Sequence, residues 1–145
     1  MRILMAGLTL VASAASAVGA EKPPVIKCPD VLEVREEVSG QTDGWESLKD
    51  EGKGQHVLDN IFIYENHPRE MASLVPDSQK EKGEKLSSKW KLVDNGKTDY
   101  WVGCSYRSTK MMLVKKLSPT LKECIVQHDV IGKGSVLSVA GIECR

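Results

Sequence analysis

Four cysteines, Cys28, Cys104, Cys124 and Cys144, stand behind an N-terminal segment of export type. Together these two features limit the chain more than any other. Arg2 follows the start Met, an uncharged stretch runs from Ile3 to Val18, and small residues Val18-Gly19-Ala20 precede the abruptly charged Glu21-Lys22. A short basic start, an apolar core too short to stay in a bilayer and a small-residue cleavage site read as a secretory signal peptide over residues 1–20. Cleavage before Glu21 is expected, with Ala15-Ser16-Ala17 as the second choice of motif. The expected destination is oxidising, the periplasm in a Gram-negative cell, where cysteines pair.

The remaining residues 21–145 suit one domain, which at this size buries roughly two thirds of its unfolded surface. Disulfides then reinforce a core rather than replace one. Losing Arg2 leaves 19 basic against 20 acidic side chains, a net charge of −1. Such a balance gives no overall pull toward nucleic acid or anionic membrane. No later apolar run has the length of a membrane span.

Four cysteines allow three pairings, and spacing does not choose among them. The pairing favoured here is Cys104–Cys124 with Cys28–Cys144. Tying the start of the chain to its end constrains the unfolded state most, by about 4–5 kcal/mol in the chain-entropy view. Zinc is a poor alternative, because no C-x-x-C pair exists and His56, His67 and His128 lie far apart. No cofactor is expected.

Residues 29–38 alternate in part and predict a strand, and Ser39 to Gly44 a loop. Trp45 to Glu51 reads as a helical turn or irregular loop. Val57 to Tyr64 predicts a central strand, with Val57, Ile61 and Ile63 on one face and Leu58, Phe62 and Tyr64 on the other. Residues 76–88 carry almost no apolar side chain and read as a solvated loop. Trp90 and Leu92, a turn at Asp94-Asn95-Gly96-Lys97, and the alternating Tyr100, Val102, Cys104 and Tyr106 predict a hairpin. Further strands are expected over 110–117, 121–128 and 136–144, the last entered through Gly132-Lys133-Gly134. About six short strands with weak helical signals predict a mostly β domain: a small antiparallel sandwich or barrel, disulfide-stapled, with at most one short helix.

The run Tyr100-Trp101-Val102-Gly103-Cys104-Ser105-Tyr106-Arg107-Ser108-Thr109, followed by Leu117-Ser118-Pro119 and Cys124, resembles a family of small exported proteobacterial proteins. Its pattern is an aromatic, Cys-x-Tyr, a Thr, a Leu-Pro-like turn and a second Cys. Cys28-Pro29 with Leu32-Glu33-Val34, the segment Pro68 to Pro76, and Ile142-Glu143-Cys144 extend the resemblance over most of residues 28–144. Ser118, standing between Leu117 and Pro119, departs from it. The resemblance implies an exported β fold without an established activity. The placement of such genes beside interbacterial toxin genes implies an immunity role. The architecture is also similar to that of periplasmic lysozyme inhibitors, although their inhibitory loop motif is not found here.

Catalytic templates fail on residue supply. There is no Gly-x-Ser-x-Gly elbow, and an even cysteine count in an oxidising compartment leaves no thiolate nucleophile. Gly132-Lys133-Gly134-Ser135 lacks the spacing of a phosphate loop and reads as a turn. Carboxylates such as Glu65, Glu70 and Asp77 give no specific pair. The sequence therefore points to a non-enzymatic periplasmic binding protein, an inhibitor or immunity protein against a cell-wall-directed toxin or hydrolase, acting by placing a loop, 39–55 or 65–88, in or across the partner's active site. A carbohydrate- or envelope-binding module is the alternative, with Trp45 or Trp101 as a stacking platform. Candidate partner-binding residues are Trp45, His67, Arg69 and Arg107. Each also has a structural reading: Trp45 as a core plug, His67 and Arg69 as a surface loop. Arg107, Lys110, Lys115, Lys116 and Lys122 form a local positive excess that suits an acidic partner or protects strand edges. Met111, Met112 and Val114 read first as core.

Overall fold

The structure is a computed structural model that describes residues 25–37, 39–40, 54–132 and 134–145. Residues 1–20, Trp45 and most of the 39–55 loop, on which several expectations fall, lie outside the described residues. The described residues form eight strands: β1 Val31–Glu33, β2 Gln55–Glu65, β3 Ser78–Lys82, β4 Lys85–Lys91, β5 Tyr100–Tyr106, β6 Met112–Lys116, β7 Glu123–Ile131 and β8 Ser135–Cys144. Pro68–Glu70 adds one 3-10 turn. The strands make two four-stranded antiparallel sheets, in the orders β1-β2-β5-β6 and β3-β4-β7-β8. Among the described residues, no helix is long and apolar enough to cross a membrane.

Period-2 alternation explains how the two sheets share a core. On β7, Cys124, Val126, His128 and Val130 are buried while Gln127 is exposed. Ile63 and Val102 of the first sheet meet Trp90 and Val126 of the second in one cluster. Trp90 satisfies its buried indole by donating Nε1–H to the carbonyl of Leu74 at 3.0 Å.

β2 departs from the expected facing. The register against β5 slips between Leu58 and Asn60, leaving Asp59 as an extra residue. Such a bulge reverses the parity of the strand. His56 and Leu58 therefore point inward below it, and Ile61 and Ile63 point inward above it. Val57 is turned outward instead of joining Ile61.

Three further expectations are corrected. Residues 76–88 are not a solvated loop: they form most of the β3–β4 hairpin, turned at Gly83 with φ 60°. β3 is an edge strand exposed throughout, so main-chain pairing forms it with no apolar pattern to betray it. The Asp94–Lys97 turn exists, with Asn95 Oδ1 accepting from the amides of Lys97 and Thr98 at 2.9 Å each. It does not close a hairpin, because β4 is already flanked by β3 and β7, and the chain crosses to the other sheet.

The cysteines pair as Cys28–Cys104 and Cys124–Cys144, not as the spacing argument favoured. Cys124 and Cys144 are cross-strand neighbours in the β7–β8 register, with Cα atoms 4.1 Å apart. Cys104 sits in the opposite sheet and is met by the arm that precedes β1, which Tyr106 also holds by donating its hydroxyl to the carbonyl of Pro29 at 3.0 Å.

Candidate partner-binding surface

The outer faces of the two sheets differ in chemistry. On the second sheet, β4 and β7 are laced by polar pairs: Lys85 with Asp129, Ser87 with Gln127 at 3.2 Å, and Lys89 with Glu123. The side-chain hydrogen bonds from Lys89 and Arg145 hold the Glu123 carboxyl below its ordinary range. On β4 and β7 the outer polar groups thus pair with one another.

The outer face of the first sheet is apolar and aromatic. Across the register, Tyr64 stands opposite Trp101, Phe62 opposite Gly103, and Gly103 opposite Val114. Gly103 makes this arrangement possible. A Cβ there would lie 2.6 Å from Met112 Sδ and 2.8 Å from Tyr64 Cε2. The Tyr64 ring thus lies in a furrow over Gly103, buried although on the outer face, and its hydroxyl donates to Met112 Sδ at 3.6 Å. Burial raises the pKa of that hydroxyl, which keeps it a donor. Phe62 flanks Tyr64 at a centroid distance of 6.2 Å.

His67 joins the same face. Its ring packs edge-to-face on Trp101 at 4.6 Å, while its Nδ1 accepts from the Arg69 amide at 3.2 Å and so caps the 3-10 turn. The Arg69 side chain is exposed beside it. Arg107 is elsewhere, at the far end of β5, about 20 Å along the strand from Trp101. Its Nε donates to Asp59 at the bulge at 3.0 Å and its Nη2 to the carbonyl of Leu137 at 2.8 Å. The carbonyl of Arg107 accepts from His56 Nδ1 at 2.8 Å. The structure therefore brings His67 and Arg69 to the aromatic face and makes Arg107 a tie between the two sheets.

Phe62 and Tyr64 were missed as surface candidates, and Met112 was read first as core. The readable signal was Trp101-x-Gly103, since a glycine inside a strand marks a close approach. Met111 and Val114, expected in the core, are exposed on and beside the edge strand β6. Among the described residues, no group of three or more His, Cys, Asp or Glu is placed to hold a metal ion.

The two sheets thus form an antiparallel sandwich whose first sheet carries an aromatic outer face. Residues 52–145 match the family model of the type VI secretion system Tli immunity protein, and the chain belongs to that family. No curated protein and no solved structure matches it.

Proposed function

We propose that the protein works in the periplasm, exported by residues 1–20 and oxidised there, and neutralises a type VI toxin directed at the cell envelope by binding it stoichiometrically. The aromatic face of the first sheet, with Trp101, His67 and Arg69, is the contact surface; Trp45 and Arg107 are the remaining candidate partner contacts. The activity is binding alone, without catalysis. The observation that carries this reading is the contrast between the self-satisfied polar outer face of the second sheet and the aromatic face built around Gly103. Aromatic anchors dominate protein interfaces, and a stiff scaffold lowers the ordering cost of docking. The sugar-platform alternative is less well supported, because His67 already packs on Trp101.

The test is rescue. Each type VI effector of the source strain is directed to the periplasm of a sensitive host, with this chain supplied either intact or without residues 1–20. The expected result is that one effector is neutralised by the intact chain alone. Protection by the leaderless form, or protection against none of the effectors, would overturn the reading.

A further inference from the structure

A two-sheet sandwich has four sheet edges, and three of these are guarded. β1 is only three residues long. β3 is exposed along its length and carries Lys80, Glu81 and Lys82. β8 is irregular at two places in its register against β7, and Arg107 occupies the carbonyl of Leu137. Short strands, charge and bulges are the usual devices against edge pairing.

β6 has a regular, unbulged register against β5 and ends the first sheet. The amide of Leu117 donates to the carbonyl of Tyr100, which sets the parity of the ladder. In an antiparallel pair, alternate residues turn their main-chain groups toward the neighbour and away from it. Leu113 and Lys115 are thus bonded to β5, while Met112, Val114 and Lys116 aim their N–H and C=O groups outward. Val114 and Leu113 are 40% and 37% exposed, so the edge is apolar at its middle. Lys110, Lys115 and Lys116 make its ends basic, and only Lys116 has an acidic partner among the described residues, Asp99 at 2.7 Å.

We propose that β6 takes up an extended, acid-flanked strand of the toxin, which adds a fifth strand to the first sheet and continues the aromatic face through Met112 and Val114. This rests on the reading of the chain as a toxin-binding immunity protein. Main-chain hydrogen bonds supply affinity in such strand addition, and side chains supply register. The lysines select the occupant. A second copy pairing edge to edge would bring six lysines onto a seam about 17 Å long, where like charges oppose each other. Acidic residues flanking an apolar strand would complement the same edge.

The test uses the full mature protein, Val114→Pro, the double variant Lys115→Glu/Lys116→Glu, and an edge control on β3, Lys80→Glu/Lys82→Glu. Binding is measured to the effector found by rescue and to an end-blocked fluorescent peptide Glu-Glu-Val-Thr-Val-Thr-Glu-Glu. Both β6 variants should bind the effector at least tenfold more weakly while the β3 variant stays within twofold. The lysine-to-glutamate pair is solvent-exposed and checks that loss in Val114→Pro is not misfolding. The peptide should bind in low salt and lose affinity when the amides of one alternate set are N-methylated but not those of the other. Unchanged effector affinity in both β6 variants overturns strand addition and leaves the immunity reading standing. If no effector is rescued, the immunity reading fails, and the peptide decides the edge: no binding, or equal effects of both methylation patterns, overturns the proposal. A concentration-dependent dimer abolished by Val114→Pro would also overturn it, by making a second copy the occupant.

Discussion

His128 is the residue whose chemistry is least comfortable in this fold. It is 5% exposed, and its Nε2 lies 3.1 Å from Asn60 Oδ1. Asn60 Oδ1 also receives the Ile61 amide, which identifies it as an acceptor. The His128 Nε2 therefore carries the proton, and Nδ1 is a bare lone pair, buried with no hydrogen-bond partner. Protonation would place an N–H at Nδ1 with nothing to receive it. Desolvation lowers the pKa from its ordinary value of 6.5, and the nearby Asp129 carboxylate offsets this only in part. The unfolded chain then takes up the proton first, so stability is fully present above about pH 6.5 and is lost as pH falls toward the depressed folded value. Thermal melts of the mature protein should show Tm falling as pH drops below about 6.5, and His128→Gln should flatten that fall. A second residue-scale prediction concerns Gly103. Gly103→Ala forces Met112 and the Tyr64 ring aside, which should cost about 1–3 kcal/mol by denaturant titration. Met112→Ala in the same chain should recover part of that loss, because the flexible thioether is one of the two obstructions.

At the scale of elements, the two disulfides do different jobs. Cys124–Cys144 staples strands already adjacent in the ladder, whereas Cys28–Cys104 fastens the arm before β1 across a separation of 76 residues. Loop-closure entropy assigns the longer loop about 4.5 kcal/mol and the 20-residue separation about 3 kcal/mol. Cys28→Ala/Cys104→Ala should therefore lower stability more than Cys124→Ala/Cys144→Ala, as urea unfolding of both variants would show. Elements whose side chains report burial were legible in the sequence: β5 and β7 show buried residues at alternate positions, and β2 and β8 carry apolar residues between turn signals. The β3–β4 hairpin was not, because an exposed edge strand is stabilised by main-chain pairing and places no demand on its side chains. The facing of Val57 was misread for a related reason. A bulge is one extra residue, and nothing in Leu58-Asp59-Asn60 distinguishes it from an ordinary step. The disulfide pairing depended on which strands became neighbours across β7 and β8, information that sequence spacing does not contain.

For the molecule as a whole, the question is what separates its two outer faces. On β4 and β7 the second sheet pairs its outer charges, Lys85 with Asp129 and Lys89 with Glu123. The first sheet places Phe62, Tyr64, Trp101 and Val114 at its outer positions, side chains whose surface is mostly apolar. His67 and Trp101 were visible in the sequence as candidates, but their meeting was not, since thirty-odd residues and an excursion through the second sheet separate them. If the aromatic face is the docking surface, Trp101 behaves as an anchor: half-buried in the free protein, fully desolvated in the complex. Truncating such an anchor costs 2 kcal/mol or more at protein interfaces. Trp101→Ala should then weaken binding to the neutralised effector by at least about thirtyfold in calorimetric titration. Because Trp101 lies outside the inner core, the melting midpoint should move far less than it would for Trp90→Ala, whose buried ring fills the space between the sheets. Lys89→Ala on the opposite face should leave effector affinity unchanged, since that surface answers its own charges. Equal effector affinity in Trp101→Ala and the parent would place the contact elsewhere on the molecule.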